Sequence, residues 1–204
     1  MTKVKDNIVS KALRCIDEIY PAENALNESF YSTDVFIDEA VRWVIDNVPV
    51  HVLPVDAVEN KVSLSAPVIK DGIGSAKVEL KGRIIFVKED GWKRALLGVI
   101  YDTDARYLQQ KNRVLRGNNS RPVAALVQGK SELEWYPSNK KDNSTTSLGI
   151  TVVEAPYDTE YIPSHLVDIT AWKLAEVVLL SMSDMQNASA CTARVTELLQ
   201  QLSL

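Results

Sequence analysis

Cysteine and histidine are scarce in this chain. Its 204 residues contain two of each: Cys15 and Cys191, and His51 and His165. Both cysteines lie in segments with helical apolar spacing, so we expect buried thiols in a reducing cytoplasm rather than a disulfide. The two histidines are far apart, and neither has Cys, His or Glu at metal-ligand spacing. The sequence therefore predicts no metal site.

Long apolar runs are also missing. No segment approaches the roughly 20 apolar residues that a membrane-spanning helix needs. The opening run MTKVKDNIVSKALRC carries charges where a signal peptide would have its apolar core. We therefore expect a chain that has no membrane partner. Its net charge of −4 does not favour nucleic acid either, so a nucleic-acid role would need a local basic patch.

Catalytic signatures are equally scarce. The GIG run at Gly72–Gly74 is not a dinucleotide loop, because it lies in a hairpin pattern and Lys77 stands where a third glycine would be. Asp102 and Asp104 are followed by Arg106, without the third ligand and the glycine of a calcium loop, so we expect turn or capping roles for them. We expect no enzyme, no catalytic residue and no cofactor. A small enzyme with an unrecognised site stays open as a lesser alternative.

Helical periodicity occupies both ends of the chain. Apolar residues recur at three- and four-residue spacing over 4–20, and again from about residue 33 until Pro49. Pro163 suits the first position of a third helix, whose broad apolar face suggests burial on several sides. Trp172 lies on that face and is expected in the core. A kink or turn within 183–190 precedes the last helix.

The middle of the chain, from about 52 to 160, consists of short alternating runs separated by turn residues. Those that predict strands are KVSLSAPV, SAKVEL, GRIIFVKE, PVAALVQ, LEWYPS and LGITVVEA. Polar segments at 22–32 and 138–147 predict loops. The sequence thus predicts an α+β fold. Terminal helices in 1–51 and 163–204 form a helical bundle, because each has an apolar face that must be covered. Residues 52–162 form an inserted antiparallel β-rich domain with a long hairpin or loop.

A basic stretch stands out in this acidic chain. Residues 107–127 read YLQQKNRVLRGNNSRPVAALV. This stretch could be a solvated surface hairpin, an arm that contacts a neighbouring chain, or a contact with nucleic acid. Trp92 follows a turn and also leaves two interpretations open, packing beneath the β domain or lying in an interface.

Two tracts resemble a known protein family. The first is RIIFVKEDGWKRALLGVIYDTDARYLQQKNRVLRGNNSRPVAALV at 83–127, in which a strand, WKR, a polar segment, RG, RP and a second strand follow one another. It is similar to the central part of head-to-tail adaptor, or ring, proteins of short-tailed phages, especially the crAss-like type. The tract ITVVEAPYDTEYIPSHLVDITAWKLAEVVLL at 150–180 resembles their entry into the C-terminal helices. Terminal helices around a β-rich domain are also their architecture.

The resemblance implies a non-enzymatic virion protein of the phage tail or neck, made in the bacterial host cytoplasm. Such adaptors form a ring, commonly of twelve copies, below the portal vertex. They enclose the channel through which DNA is ejected, and they dock the next tail component. The implied partners are other copies of the chain, the portal protein and other tail or ring proteins. Genomic DNA would pass without sequence-specific binding.

The resemblance also suggests a role for the basic stretch. The residues expected to contact a neighbouring subunit or partner are Lys111, Arg113, Arg116, Arg121 and Trp92. Arginine suits carboxylates across such an interface, whereas strong phosphate binding would hinder DNA from sliding through a channel. The main alternative is a phage accessory nucleic-acid-binding protein that uses the basic 111–121 stretch.

Overall fold

The computed structural model describes residues 3–19, 33–56, 58–139 and 149–202. The chain forms two compact units, one of 1–53 with 157–204 and one of 54–156. We call them the helical unit and the β unit. The fold class is α+β, which confirms the sequence-based expectation. The loops predicted at 22–32 and, beyond residue 139, at 138–147 lie outside the described residues.

The helical unit contains four of the α-helices that the structure describes. They are α1 (Lys3–Ile19), α2 (Thr33–Asn47), α4 (Val167–Ser181) and α5 (Met185–Leu202). Helix α4 contacts each of the other three. It is apolar on nearly every side because it is the central helix, as its broad apolar face predicts.

The other helices bury one stripe each. Helix α1 buries Ile8, Ala12, Cys15 and Ile16, and α5 buries Ala188, Cys191 and Val195. These positions recur at three- and four-residue spacing, so each set lies on one side of its helix.

Three details of the helical unit differ from expectation. Pro163 is not the first helical residue, because 164–166 form a single 3-10 turn and α4 begins at Val167. Trp172 is half-buried rather than fully enclosed, since it lines a groove together with Lys11 of α1 and Arg194 of α5. Residues 157–162, predicted within the β insertion, group with the helices.

Contacts of Tyr157 explain where this boundary falls. Its hydroxyl donates to the carboxylate of Asp46 on α2 at 2.7 Å. The guanidinium of Arg42, also on α2, lies 5.0 Å from the centre of its ring. The chain thus joins the helical unit as soon as it leaves the last strand.

The β unit contains two sheets. Its strands are β1 (Leu64–Lys70), β2 (Ile73–Val78), β3 (Gly82–Glu89), β4 (Ile100–Tyr101), β5 (Val123–Val127), β6 (Glu132–Tyr136) and β7 (Ile150–Pro156). The larger sheet has the order β1-β2-β6-β5-β4, and β3 pairs with β7 in the smaller one. Each predicted strand run overlaps one of these strands, with ends that differ by up to three residues in most of them, whereas β4 was not predicted.

The larger sheet is mixed, which corrects the prediction of an antiparallel domain. Strand β4 runs parallel to β5, while the other neighbouring strands are antiparallel. A parallel pair needs a long crossover connection. Residues 102–122 provide it, and they include a short helix, α3 (Ala105–Lys111). Helix α3 also replaces part of the loop or hairpin that the sequence predicted.

The core of the β unit draws on both sheets. It includes Val78 and Trp135 from the larger sheet and Val87 and Val152 from the smaller one. Trp92 belongs to this core and is 3% exposed, and its indole N–H donates to the carbonyl of Pro137 at 2.9 Å. Trp92 therefore packs beneath the sheets and offers no surface for a neighbouring chain, which corrects its assignment as a contact residue.

Candidate protein-contact site

Helix α3, at the start of the basic stretch, is held against the larger sheet. The carboxylate of Asp104 accepts a hydrogen bond from the backbone N–H of Arg106 at 2.8 Å and so caps the start of α3. At the other end of α3, the ammonium of Lys111 lies 2.8 Å from a carboxylate oxygen of Glu134 on β6. The same ammonium lies 4.5 Å from the centre of the Tyr107 ring. Helix α3 therefore has a fixed side that faces β6.

The pKa shifts in this cluster describe a stable ion pair. Partial burial acts to lower the pKa of Lys111, but hydrogen bonds with Glu134 and Tyr107 outweigh it and hold the pKa above its ordinary value. Burial acts to raise the pKa of Glu134, but hydrogen bonds from Lys111 and Tyr136 hold it below its ordinary value. Both side chains therefore stay charged across the physiological pH range. Burial and the hydrogen bond to Glu134 raise the pKa of Tyr136.

Arg116 also has a structural role. Its guanidinium donates to the backbone carbonyls of Gln110 at 3.1 Å and Asp71 at 2.8 Å. The buried side-chain oxygen of Gln110 accepts in turn from the N–H of Gly117 at 2.9 Å. These bonds tie the turn that follows α3 to the β1–β2 hairpin. Lys111 and Arg116 thus position the segment, the first through an ion pair with Glu134 and the second through hydrogen bonds to backbone carbonyls.

The outer side of the same segment is exposed and apolar. Leu108 is 72% exposed, Val114 is 89% exposed and Leu115 is 61% exposed. Arg113 lies between them, and its guanidinium has no hydrogen-bond or ion-pair partner among the described residues. We call these four residues the 108–115 surface. Large apolar side chains held in water by a fixed base are typical of protein-contact surfaces.

A groove lies beside this segment. It has a volume of about 400 Å³ and is lined by arginines and apolar residues, among them Arg94, Leu96, Leu97, Arg106 and Arg121. Arg106 is already paired with Asp104 at 2.6 Å, and hydrogen bonds from Arg106 lower the pKa of that carboxyl. Arg94 and Arg121 have no such partner within the described residues. The groove could therefore accept an anionic group.

The structure separates the five predicted contact residues into three kinds. Arg113 and Arg121 are exposed and unpaired within the described chain, Lys111 and Arg116 hold the segment in place, and Trp92 is buried. The sequence interpretation missed the apolar members of the 108–115 surface because it considered only the charges of the stretch. The available signal was three large apolar residues within a polar and basic run.

The two units carry opposite net charge. The helical unit contains seven Lys or Arg against 15 Asp or Glu, a net charge of −8. The β unit contains 16 Lys or Arg against 12 Asp or Glu, a net charge of +4. The overall value of −4 therefore conceals a basic unit that bears the candidate site.

The thiols are poor nucleophiles. Burial raises the pKa of Cys15 and of Cys191 to about 12, whereas a catalytic thiol needs a lowered pKa. Within the described ranges, no group of three His, Cys, Asp or Glu side chains could hold a metal ion. In the same part of the chain, no helix has both the length and the apolar character needed to cross a membrane.

Comparison with known proteins identifies no family for this sequence. No protein-family model matches the sequence, and no curated protein matches it significantly.

Proposed function

We propose that the chain is a structural virion protein, a head-to-tail adaptor of a short-tailed phage of crAss-like type. In this role it assembles into a ring, commonly of twelve copies, below the portal. The ring encloses the DNA channel and docks the next tail component. The proposal includes no catalytic activity and no cofactor.

The 108–115 surface carries the proposal. A ring protein must present surfaces to its neighbours, and protein interfaces are enriched in arginine and large apolar side chains. Leu108, Arg113, Val114 and Leu115 provide this combination on a segment whose other side is fixed to the sheet. Phosphate binding alone would not require exposed leucine and valine. The sequence resemblance over 83–127, which contains this surface, supplies the phage context.

Nucleic-acid binding is the second candidate, and the groove favours it. Arg94, Arg106 and Arg121 line one groove on a unit of net charge +4. Such a site would bind phosphates through ionic contacts, whose affinity falls steeply with rising salt.

Mixing the purified chain with the portal protein of the same phage tests the proposal. The portal complex is separated by size and its mass is measured by native mass spectrometry. We expect many copies of the chain on each portal ring, and we expect the double variant Val114→Ser/Leu115→Ser to bind at least about tenfold more weakly. Its matched control is Val58→Ser, which changes a valine that is 90% exposed elsewhere on the β unit.

Two outcomes would contradict the proposal. One is a chain that binds neither the portal nor any other tail protein of the phage. The other is tight binding of a DNA duplex at low salt that disappears at high salt and is also lost in the double variant Arg94→Ala/Arg121→Ala. The second outcome would establish the accessory nucleic-acid role instead.

A further inference from the structure

We infer that the 108–115 surface of one copy docks on the outer face of α2 in the helical unit of a second copy. The biological role of this contact rests on the proposed adaptor function. The contact itself can be tested with the chain alone.

Charge complementarity identifies a second copy of the chain as the partner of the 108–115 surface. The β unit is basic and the helical unit is acidic, with net charges of +4 and −8. Two copies of one chain therefore attract each other most when the β unit of the first faces the helical unit of the second. Contacts between like units bring like charges together.

Helix α2 presents the matching surface. Val35, Asp38 and Glu39 stand at positions i, i+3 and i+4, so they share one side of the helix. All three are exposed, with Val35 at 68%. Neither carboxylate has a partner among the residues that the structure describes. An exposed apolar side chain thus adjoins two free acids, as the 108–115 surface combines apolar side chains with a free arginine.

Other acidic positions of the helical unit fit less well. Asp168 is paired with Lys11, Glu197 with Arg194, and Asp46 accepts from Tyr157. The exposed apolar residues at the α4–α5 turn, Leu180, Met182 and Met185, adjoin only Asp184, whose carboxylate caps α5. Within the described helical unit, α2 is where exposed apolar surface and unpaired acids coincide.

The expected contact joins arginine to carboxylate around an apolar centre. The guanidinium of Arg113 can form a forked, charge-assisted pair with Asp38 or Glu39. Val114 and Leu115 would then cover Val35. The two surfaces are different, so a docked pair keeps one free surface of each kind, and the contact can repeat from copy to copy.

Charge exchange between two variants tests this contact. One variant is Arg113→Glu, and the other is Asp38→Lys/Glu39→Lys. We measure self-association of each full-length chain by sedimentation equilibrium up to about 1 mM at low salt, which detects even the weak end of specific affinities. Wild type should associate and weaken as salt rises. Each variant alone should associate at least about tenfold more weakly.

An equimolar mixture of the two variants should restore association. In the mixture, the glutamate introduced by Arg113→Glu in the first variant meets the two lysines introduced on α2 of the second. The second variant keeps its arginine and the first keeps its α2 acids, so the opposite pairing is available as well. The control pair is Lys77→Glu and Asp17→Lys, an exposed cation of the β unit and an exposed acid of α1. Mixing these controls should change nothing beyond their own separate effects, and circular dichroism verifies that every variant is folded.

The result that would overturn the inference is a wild-type chain that stays monomeric, variants that associate like wild type, or a mixture that does not recover. Loss of DNA-duplex binding by Arg113→Glu, with self-association unchanged, would also overturn it and assign the surface to nucleic acid. The assay contains no portal, so recovery in the mixture together with failure to bind any tail protein would keep this contact and reject the adaptor function.

Discussion

Removing the carboxylate of Glu89 should destabilise the β unit strongly. Glu89 ends β3 and is fully buried. Its carboxylate accepts hydrogen bonds from the indole N–H of Trp135 at 3.2 Å, the hydroxyl of Ser138 at 2.8 Å and the backbone N–H of Asn139 at 3.2 Å. It thereby joins the end of the smaller sheet to the end of β6 in the larger one.

The magnitude follows from the donors that Glu89→Ala would leave without an acceptor. Each buried donor left unsatisfied costs about 1–3 kcal/mol. The donors of Trp135 and Ser138 belong to buried residues and that of Asn139 is partly exposed, so their loss together would cost several kcal/mol, and the desolvation cost that the buried carboxylate no longer incurs offsets part of this. We therefore expect the free energy of unfolding of the β unit to fall by about 3 kcal/mol. Glu89→Gln keeps one acceptor and should lose less.

Urea unfolding measures this loss. Tryptophan fluorescence reports on the β unit through Trp92 and Trp135 and on the helical unit through Trp43 and Trp172. Circular dichroism follows the helices, so the two signals together show whether the units unfold in separate transitions. The matched control is Glu79→Ala, which removes an exposed glutamate of the same unit and should change the stability by less than about 0.5 kcal/mol. If Glu89→Ala falls within that same limit, the reasoning from its buried hydrogen bonds is refuted.

Three further predictions concern pH, thiol reactivity and packing. The folded pKa of Glu134 lies below its ordinary value of 4.5, so its stabilisation is present above that pH and is lost as the pH falls through the folded pKa. Urea unfolding at a series of acid pH values should therefore show a weaker dependence on pH for Glu134→Gln. Cys15 and Cys191 should react with a thiol reagent at pH 8 at least about a hundredfold more slowly in the native chain than in urea, as absorbance measures, because each pKa is about 12. Gly74→Ala should cost about 3 kcal/mol in thermal unfolding, since its Cβ would lie 2.0 Å from the Trp135 ring.

Periodicity explains which elements the sequence could predict. The apolar stripe of α1 directly records one-sided burial, and the short apolar runs at the centres of β3 and β7 record strands within a core, so these elements were predicted near their observed bounds. Strand β4 has only two residues, which is too short for a period. Helix α3 lacks an apolar face, because its inner side is held by polar contacts of Gln110 and Lys111.

The candidate site was predictable only in part, for a similar reason. Its exposed arginines follow from composition, but the fixed ones do not. The ammonium of Lys111 pairs with Glu134 on β6, 23 residues further along the chain. The guanidinium of Arg116 donates to the carbonyl of Asp71 in the β1–β2 hairpin, 45 residues earlier. Local sequence carries no record of such contacts. It also could not show that Trp92 lies between two sheets, since that depends on how the sheets pack.

Counting this chain in purified phage particles tests the adaptor proposal most directly. Quantitative mass spectrometry of the virion gives its copy number relative to the portal protein, and antibody labelling in electron microscopy gives its position. The proposal predicts a fixed, ring-like ratio to the portal and labelling at the neck or tail. A chain that is abundant in infected cells but lacking from washed virions would contradict the proposal.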